Sequence, residues 1–297
     1  MISEKINKSS NERKNKNENA NEETVKWLSP KNDYVFKRTF GQSKNANYTK
    51  NFIGAITDEN ISSIKINDER FLERQVMDDK LGIIDLHAVL NENVECDVEM
   101  QVVNENNMAE RLLSYWGKMY NQGIKKGQDY AEARKTLVIA ILNFDLDETK
   151  NIPKSVTKWN IREEEFSKFI LTDKFEIVIL ELKKFNKYID KVKNKDLISW
   201  VKFLESPGEI DMKTEKNEYV KEAVNELKEL SEDEQEQRIA DLREKYILDR
   251  NTLRNSGYRE GKKENSKEIA KKMKEKSMDV KTISELTGLT KEEIEKL

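Results

Sequence analysis

Polar and apolar residues alternate most sharply from Leu81 to Val103, LGIIDLHAVLNENVECDVEMQVV. Two apolar-rich runs of strand composition flank Asn91-Glu92-Asn93, which has turn composition, and together they predict a β-hairpin. Alternate residues of a strand share a face. Ile84, Leu86, Ala88 and Leu90 therefore fall on one side of the first run, with Asp85 and His87 on the other. In the second run Cys96, Val98, Met100 and Val102 form an apolar row, and Asp97, Glu99 and Gln101 a polar one. The polar rows coincide when paired positions have an even sum. A loop centred on Glu92 gives a sum of 184, which sets Asp85 opposite Glu99 and His87 opposite Asp97. Opposed residues have Cβ atoms roughly 4.5–5.5 Å apart, and like charges in that position destabilise a sheet. Two carboxylates so placed call for a cation between them.

Elsewhere the periodicity is helical or continuously apolar. Phe36 and Phe40 lie four apart after Ser29-Pro30, and Tyr48 to Ile56 continues in helical character. Ile64-Lys65-Ile66 and Phe71 to Val76 are strand candidates. Met108, Leu112, Tyr115, Trp116, Met119 and Tyr120 follow the three-and-four spacing of a buried helical stripe, with Asn106 or Asn107 as its cap. Arg111 stands off the stripe centre, one turn before Tyr115, where it can either point toward the carboxylates or remain an ordinary surface residue. KTLVIAILNF (Lys135–Phe144) and FEIVILEL (Phe175–Leu182) predict strands buried on both faces. The segment between them, with Trp159 and Arg162 to Phe169, is expected to be helical. Asp196 to Leu204 is an amphipathic helix stopped by Pro207-Gly208. Together these elements predict an α/β fold with helices on the faces of a sheet.

From Glu209 to Asp249 a long charged helix is expected, with Val220, Ala223, Val224, Leu227 and Leu230 on one stripe; it carries 7 basic against 14 acidic residues. Arg250 to Lys276 reverses the sign, with 10 basic against 4 acidic. Such a block can touch phosphates or pair with the acidic segment before it. Met278 to Leu297 reads as two short helices, with Gly288 as a left-handed cap and Thr290 and Glu293 at capping-box spacing. This resembles a helix-turn-helix. Its second helix carries Glu292, Glu293 and Glu295, so a packing or assembly role, through which copies of the chain could form a homo-oligomer, is expected over base readout.

Composition narrows the function classes. At 297 residues the chain suits about two domains. Residues 1–26 hold six asparagines and few apolar side chains, and are expected to be disordered. One cysteine, Cys96, and one histidine exclude a disulfide framework and a Cys/His zinc cluster, and fit a reducing, cytoplasmic setting. No apolar run approaches the roughly 20 residues of a membrane span. The net charge of −3 gives no global pull on nucleic acid, so any binding must come from a local patch.

Asp85 and Glu99 are hard oxygen ligands suited to Mg²⁺ or Mn²⁺. Gln101 shares the face of Glu99 and can position water, but being neutral it cannot transfer a proton as a lysine can. His87 is a neighbour on that face. Residue types alone leave a metal site and a solvent-facing acidic sheet both open.

The order Asp85, then Glu99-Met100-Gln101 after a hairpin, resembles the PD-(D/E)XK nuclease superfamily, most of all its Rpn branch of recombination-promoting, transposase-like nucleases. SPKNDYVFKRTFG (Ser29–Gly41), GIIDLHAVLNENVECDVEMQ (Gly82–Gln101), RLLSYWGKMY (Arg111–Tyr120) and GQDYAEARKTLVIAILNF (Gly127–Phe144) carry the likeness, which covers roughly 27–185. It implies a restriction-endonuclease-like α-β-β-β-α-β core with a helical C-terminal extension. The resulting organisation is a tail at 1–26, the nuclease-like domain at 27–208, a charged helical segment at 209–276 and the helix-turn-helix-like tail at 277–297. Asp85 and Glu99 become metal ligands, the Met100 backbone carbonyl a further ligand, and Gln101 stands where most of the superfamily has a catalytic lysine. Asp33 and Lys37 match the family's N-terminal motif and, with His87, Arg111 and Tyr115, are expected at the edge of the site. The function implied is a Mg²⁺- or Mn²⁺-dependent DNA endonuclease linked to recombination or mobile elements. The alternative is a weak or inactive DNA-binding or assembly protein that keeps the fold.

Overall fold

The computed structural model describes residues 26–67, 86–124 and 126–297. The chain divides into two compact units, the first ending at Ala240 and the second spanning Asp241–Leu297. The tail and the strand expected at Phe71 to Val76 lie outside the described residues.

In the first unit, α1 (Asp33–Phe40) and α2 (Ala46–Thr57) lead into β1 (Ile64–Ile66), β2 (Leu86–Leu90) and β3 (Val94–Gln101). Next come α3 (Met108–Gly123), β4 (Lys135–Leu142), β5 (Val156–Trp159) and β6 (Phe175–Glu181). The helices α4 (Leu182–Tyr188), α5 (Lys195–Glu205) and α6 (Glu218–Glu232) complete it, together with the start of α7 (Glu234–Glu275). Among the described residues the strands form one six-stranded sheet in the order β1-β2-β3-β4-β6-β5. β1, β2 and β3 are antiparallel neighbours, β3, β4 and β6 are parallel, and β5 closes the far edge antiparallel to β6. This is the expected α/β architecture with the α-β-β-β-α-β order at its centre.

The hairpin has the expected register: Leu86 pairs with Val98, His87 with Asp97 and Leu90 with Val94, each summing to 184. Asn91 (φ 48°) and Glu92 (φ 65°) take the left-handed conformation that matches a tight turn to the twist of its strands. Asn91 Oδ1 also accepts from Ser62 N and Ser62 Oγ, both at 2.8 Å, which ties the turn to the approach to β1.

Sheet parity then divides the interior in two. Leu86, Ala88, Leu90, Cys96, Val98 and Met100 face α1, α2, α5 and α6. On this side Phe40 stacks on Phe52 with ring centroids 4.4 Å apart, and Trp200 meets Phe52 edge-on at 5.1 Å. The other face, with Val138, Ala140, Leu142, Ile177 and Ile179, is covered by Met108, Leu112 and Met119 of α3. Trp116 Nε1 donates to Thr136 O at 3.1 Å and fixes that helix on β4.

Three expectations need correction. The segment after β5 is not helical: Val156–Trp159 is an edge strand on β6, and Arg162 bridges antiparallel to Ile170. Phe166, Phe169 and Leu171 are exposed, so no apolar stripe exists to hold a helix against the sheet. The charged helix of Glu209 to Asp249 is broken at Asp233, whose carboxylate accepts from Gln235 N (2.8 Å) and Glu236 N (3.0 Å) and so starts α7 afresh. The first unit also continues past residue 208, because Val220, Ala223, Val224 and Leu227 of α6 are buried in the same core as α1 and α2. Glu236 secures the start of α7 there, accepting from Arg38 Nη2 at 2.6 Å and Tyr34 Oη at 2.7 Å.

In the second unit α8 (Val280–Thr287) and α9 (Lys291–Glu295) pack Ile283, Leu289 and Ile294 against Ala270 of α7. Gly288 takes φ 72° at the cap of α8, and Thr290 and Glu293 form the reciprocal capping box at the start of α9. Among the described residues no helix is long and apolar enough to cross a membrane.

Candidate metal-dependent nuclease site

β3 places Asp97, Glu99 and Gln101 on the α3 side of the sheet, opposite the Cys96–Met100 row. Their partners on β4 are Val138, Ala140 and Leu142, all apolar. Asp97 and Glu99 are fully buried at 0% exposure, and Gln101 is half-buried at the strand's end. A buried carboxylate is costly unless something compensates its charge. Gln101 Nε2 donates to Glu99 Oε2 at 3.2 Å. A carboxylate only accepts, so the contact orients the amide and turns Gln101 Oε1, an acceptor, away from Glu99.

On α3, Arg111 donates to Tyr115 Oη from Nη2 (2.8 Å) and Nε (3.2 Å), and lies 3.8 Å from Glu105. Burial lowers the affinity of its guanidinium for the proton. The hydrogen bond to Tyr115 and the charges of Tyr115, Glu99 and Glu105 more than offset this and raise it. Arg111 thus feels the charge of Glu99 and is hydrogen-bonded to Tyr115.

His87 sits opposite Asp97 in register, but its close contact is diagonal: Nε2 is 3.0 Å from Glu95 Oε2. Arg134 Nη1 completes that group at 2.7 Å from Glu95 Oε1. The hydrogen bond from His87 is the largest influence on Glu95. With Arg134 it outweighs burial and holds the Glu95 carboxyl below its usual range. His87 is therefore engaged in a structural pair one step along the row from Glu99. The Cys96 thiol, on the opposite face, is pushed well up by burial and is inert.

Asp85 immediately precedes β2 and lies outside the described residues, as does its pairing with Glu99. Asp33 occupies the first turn of α1, where its carboxylate accepts from Tyr34 N at 2.8 Å, and Lys37 follows one turn on. That helix packs through Val35, Phe36 and Phe40 on the sheet face opposite Glu99. The Met100 side chain is buried on that same opposite face, so any part it plays at the site falls to its backbone.

Among the described residues no group of three His, Cys, Asp or Glu side chains is arranged to hold a metal ion. What β3 does offer is a buried carboxylate, Glu99, beside a neutral amide and without sulfur or imidazole donors. That single carboxylate is a hard oxygen donor of the kind Mg²⁺ and Mn²⁺ take.

A second polar group went unnoticed in the sequence. Gln101, Leu142 and Glu181 stand in one row across β3, β4 and β6. Glu181, fully buried, accepts from Leu146 N (2.8 Å) and from Thr149 Oγ1 (2.7 Å to Oε1). Lys184 Nζ donates to Thr149 O (2.6 Å), Thr149 Oγ1 (2.7 Å) and Glu181 Oε2 (3.0 Å), using all three of its protons. Only the three-residue spacing of Glu181 and Lys184 hinted at it.

Residues 30–257 match the family model described as PD-(D/E)XK nuclease family transposase. Residues 263–297 match the model described as the C-terminal HTH domain of the Rpn/YhgA-like nuclease family. The first match spans well over half of the chain, which therefore belongs to the PD-(D/E)XK nuclease family transposases. No curated protein and no solved structure matches it.

Proposed function

We propose that the chain is a Mg²⁺- or Mn²⁺-dependent DNA endonuclease serving recombination or mobile elements in the cytoplasm. The reading is supported above all by the Gln101–Glu99 contact on the buried polar row of β3. Asp85 and Glu99 would hold the ion, and the Met100 carbonyl would be a further ligand. A divalent ion there supplies a Lewis acid that activates water and offsets charge on a scissile phosphate. Gln101 uses its Nε2 on Glu99 and orients the attacking water through Oε1. Arg111, braced by Tyr115, adds positive charge on the phosphate's side of the row. The HTH match supports DNA contact by the second unit. The basic stretch Arg250 to Lys276 suits phosphate contact there better than α9, which carries Glu292, Glu293 and Glu295.

Supercoiled plasmid incubated with the full chain and Mg²⁺ or Mn²⁺ is expected to be nicked or linearised. Glu99→Gln and Asp85→Asn are each expected to lower the rate by at least about 100-fold, in line with the loss of a group acting directly on the reaction. Unchanged cleavage in both variants would overturn the assignment.

The neutral Gln101 favours one rival, a scaffold that binds DNA but has lost its cleavage chemistry. That reading wins if the wild-type chain binds DNA with a steep salt dependence yet cleaves none at any concentration of either ion.

A further inference from the structure

The edge of the sheet remote from the hairpin carries a cleft of about 570 Å³ that the proposed chemistry does not use. Its walls are the last turn of α2, the approach to β5, and the connection from α4 to α5. Lys154 and Lys158 stand on one side and Lys191 and Lys193 on the other, and all four are exposed. Asn194, the N-cap of α5, lies between them, so the positive end of that helix opens at the cleft. Two acidic groups oppose them. Asp58 lines the cleft and is engaged by Asn194 Nδ2 at 3.2 Å. Glu59 lies 3.7 Å from Lys158, but both side chains are well exposed, and such a solvent-screened pair exchanges readily. Lys191 rests over the Tyr188 ring at 5.1 Å, which leaves its charge uncompensated by any carboxylate in that contact. Four lysines converging on one concavity make a site for phosphate groups.

Topology ties this cleft to the row that bears Glu99. Gln101 pairs with Leu142, Leu142 with Glu181, and Glu181 N donates to Ser155 O at 2.9 Å, next to Lys154. The lysines therefore begin at the same carboxyl end of the parallel strands where Gln101 ends, three strand spacings or about 14 Å across. The cleft opens on the α2–α5 face and Glu99 on the α3 face, so a bound backbone would pass over the strand ends between them.

We propose that this lysine cleft seats backbone phosphates of the nucleic acid flanking the position presented to Glu99. It is a second, sequence-independent contact that fixes where along the substrate the site acts. The choice of DNA as the ligand rests on the endonuclease reading.

The test is fluorescence anisotropy of a labelled DNA duplex with the full chain in EDTA, across a series of salt concentrations. The wild type is compared with a variant combining Lys154→Gln, Lys158→Gln, Lys191→Gln and Lys193→Gln. Every phosphate that a lysine no longer neutralises lowers the slope of log affinity against log salt by about one, so the variant's slope is expected to be shallower by about three to four units. Its affinity is expected to fall at least about tenfold, equally for unrelated sequences. Should the fourfold variant melt early, Lys191→Gln with Lys193→Gln alone is expected to flatten the slope by about two units. An unchanged slope overturns the proposal. So does a variant that loses only inorganic pyrophosphate binding, seen as vanished NMR shifts, while its DNA slope stays at the wild-type value, because the cleft would then take free phosphates. No cleavage enters the measurement. Failure of the endonuclease reading would appear as an inactive wild type with its slope intact, and failure of the cleft as an unchanged slope in an active enzyme.

Discussion

Replacing Lys184 by methionine tests whether the Glu181–Thr149–Lys184 group holds the carboxyl end of the sheet together. The side chains have similar length and unbranched shape, so the change removes the ammonium with little change in packing. Wild-type Nζ makes three hydrogen bonds of 2.6, 2.7 and 3.0 Å, and its carboxylate partner is wholly buried. Removing one member of a buried ion pair costs about 3–5 kcal/mol, because the other charge is stranded. Glu181 would keep two donors, Leu146 N and the Thr149 hydroxyl, which places the expected loss near the lower end, about 3 kcal/mol. Thr149 O and Oγ1 would each be short of a donor, so the loop after β4 should loosen with the ion pair. Urea unfolding of the full chain, followed by tryptophan fluorescence, reads the effect. Trp116 and Trp200 lie in the two cores of the first unit. Glu181→Gln combined with Lys184→Met should cost less than the sum of the single changes, since the stranded charge is gone. A loss below about 1 kcal/mol for Lys184→Met, or strict additivity in the double variant, would refute this role for the network.

Glu95→Gln tests the His87–Glu95–Arg134 group. Because the folded-state pKa of Glu95 lies below its ordinary value of 4.5, its contribution is complete above that pH and is lost as pH falls through the depressed value. The variant should be about 1 kcal/mol less stable than wild type at pH 7, and the gap should close in strong acid; melts at both ends of that range check it. Gly288→Ala should lower the stability of the second unit by about 1 kcal/mol, since φ 72° is strained for a side chain while no atom lies within 4 Å of the added Cβ. Thermal melts that retain the α8–α9 helical signal unchanged would contradict that cost.

Much of the fold could be read from strict alternation. The hairpin register followed from two facts, a turn centred on Glu92 and side-chain parity of two, and the observed pairs keep it. β4 and β6 announced themselves as runs apolar on nearly every residue, because both of their faces are covered. The capping box of α9 needed only Thr290 and Glu293 at the right spacing. What escaped depended on contacts between elements distant in sequence. An amphipathic stripe says that α6 must bury a face but not against what, so its place in the first core was invisible. The stretch around Trp159 was expected to be helical, yet its aromatics remain exposed beside an edge strand. His87 chose Glu95 over the opposed Asp97 because diagonal reach in a sheet depends on side-chain length as well as register. At the site, the polar row of β3 was legible and so was its likeness to the nuclease family. The Tyr115 hydrogen bonds of Arg111 could not be read from spacing alone.

A crystal of the full chain grown with Mn²⁺, measured by anomalous scattering at the manganese edge, addresses the proposed chemistry most directly. Metal binding by the polar row of β3 predicts one strong peak beside the Glu99 carboxylate, bounded by Asp85 and the Met100 carbonyl, and its disappearance in Glu99→Gln. A map with no peak on that row, or one that persists there unchanged in Glu99→Gln, would contradict it.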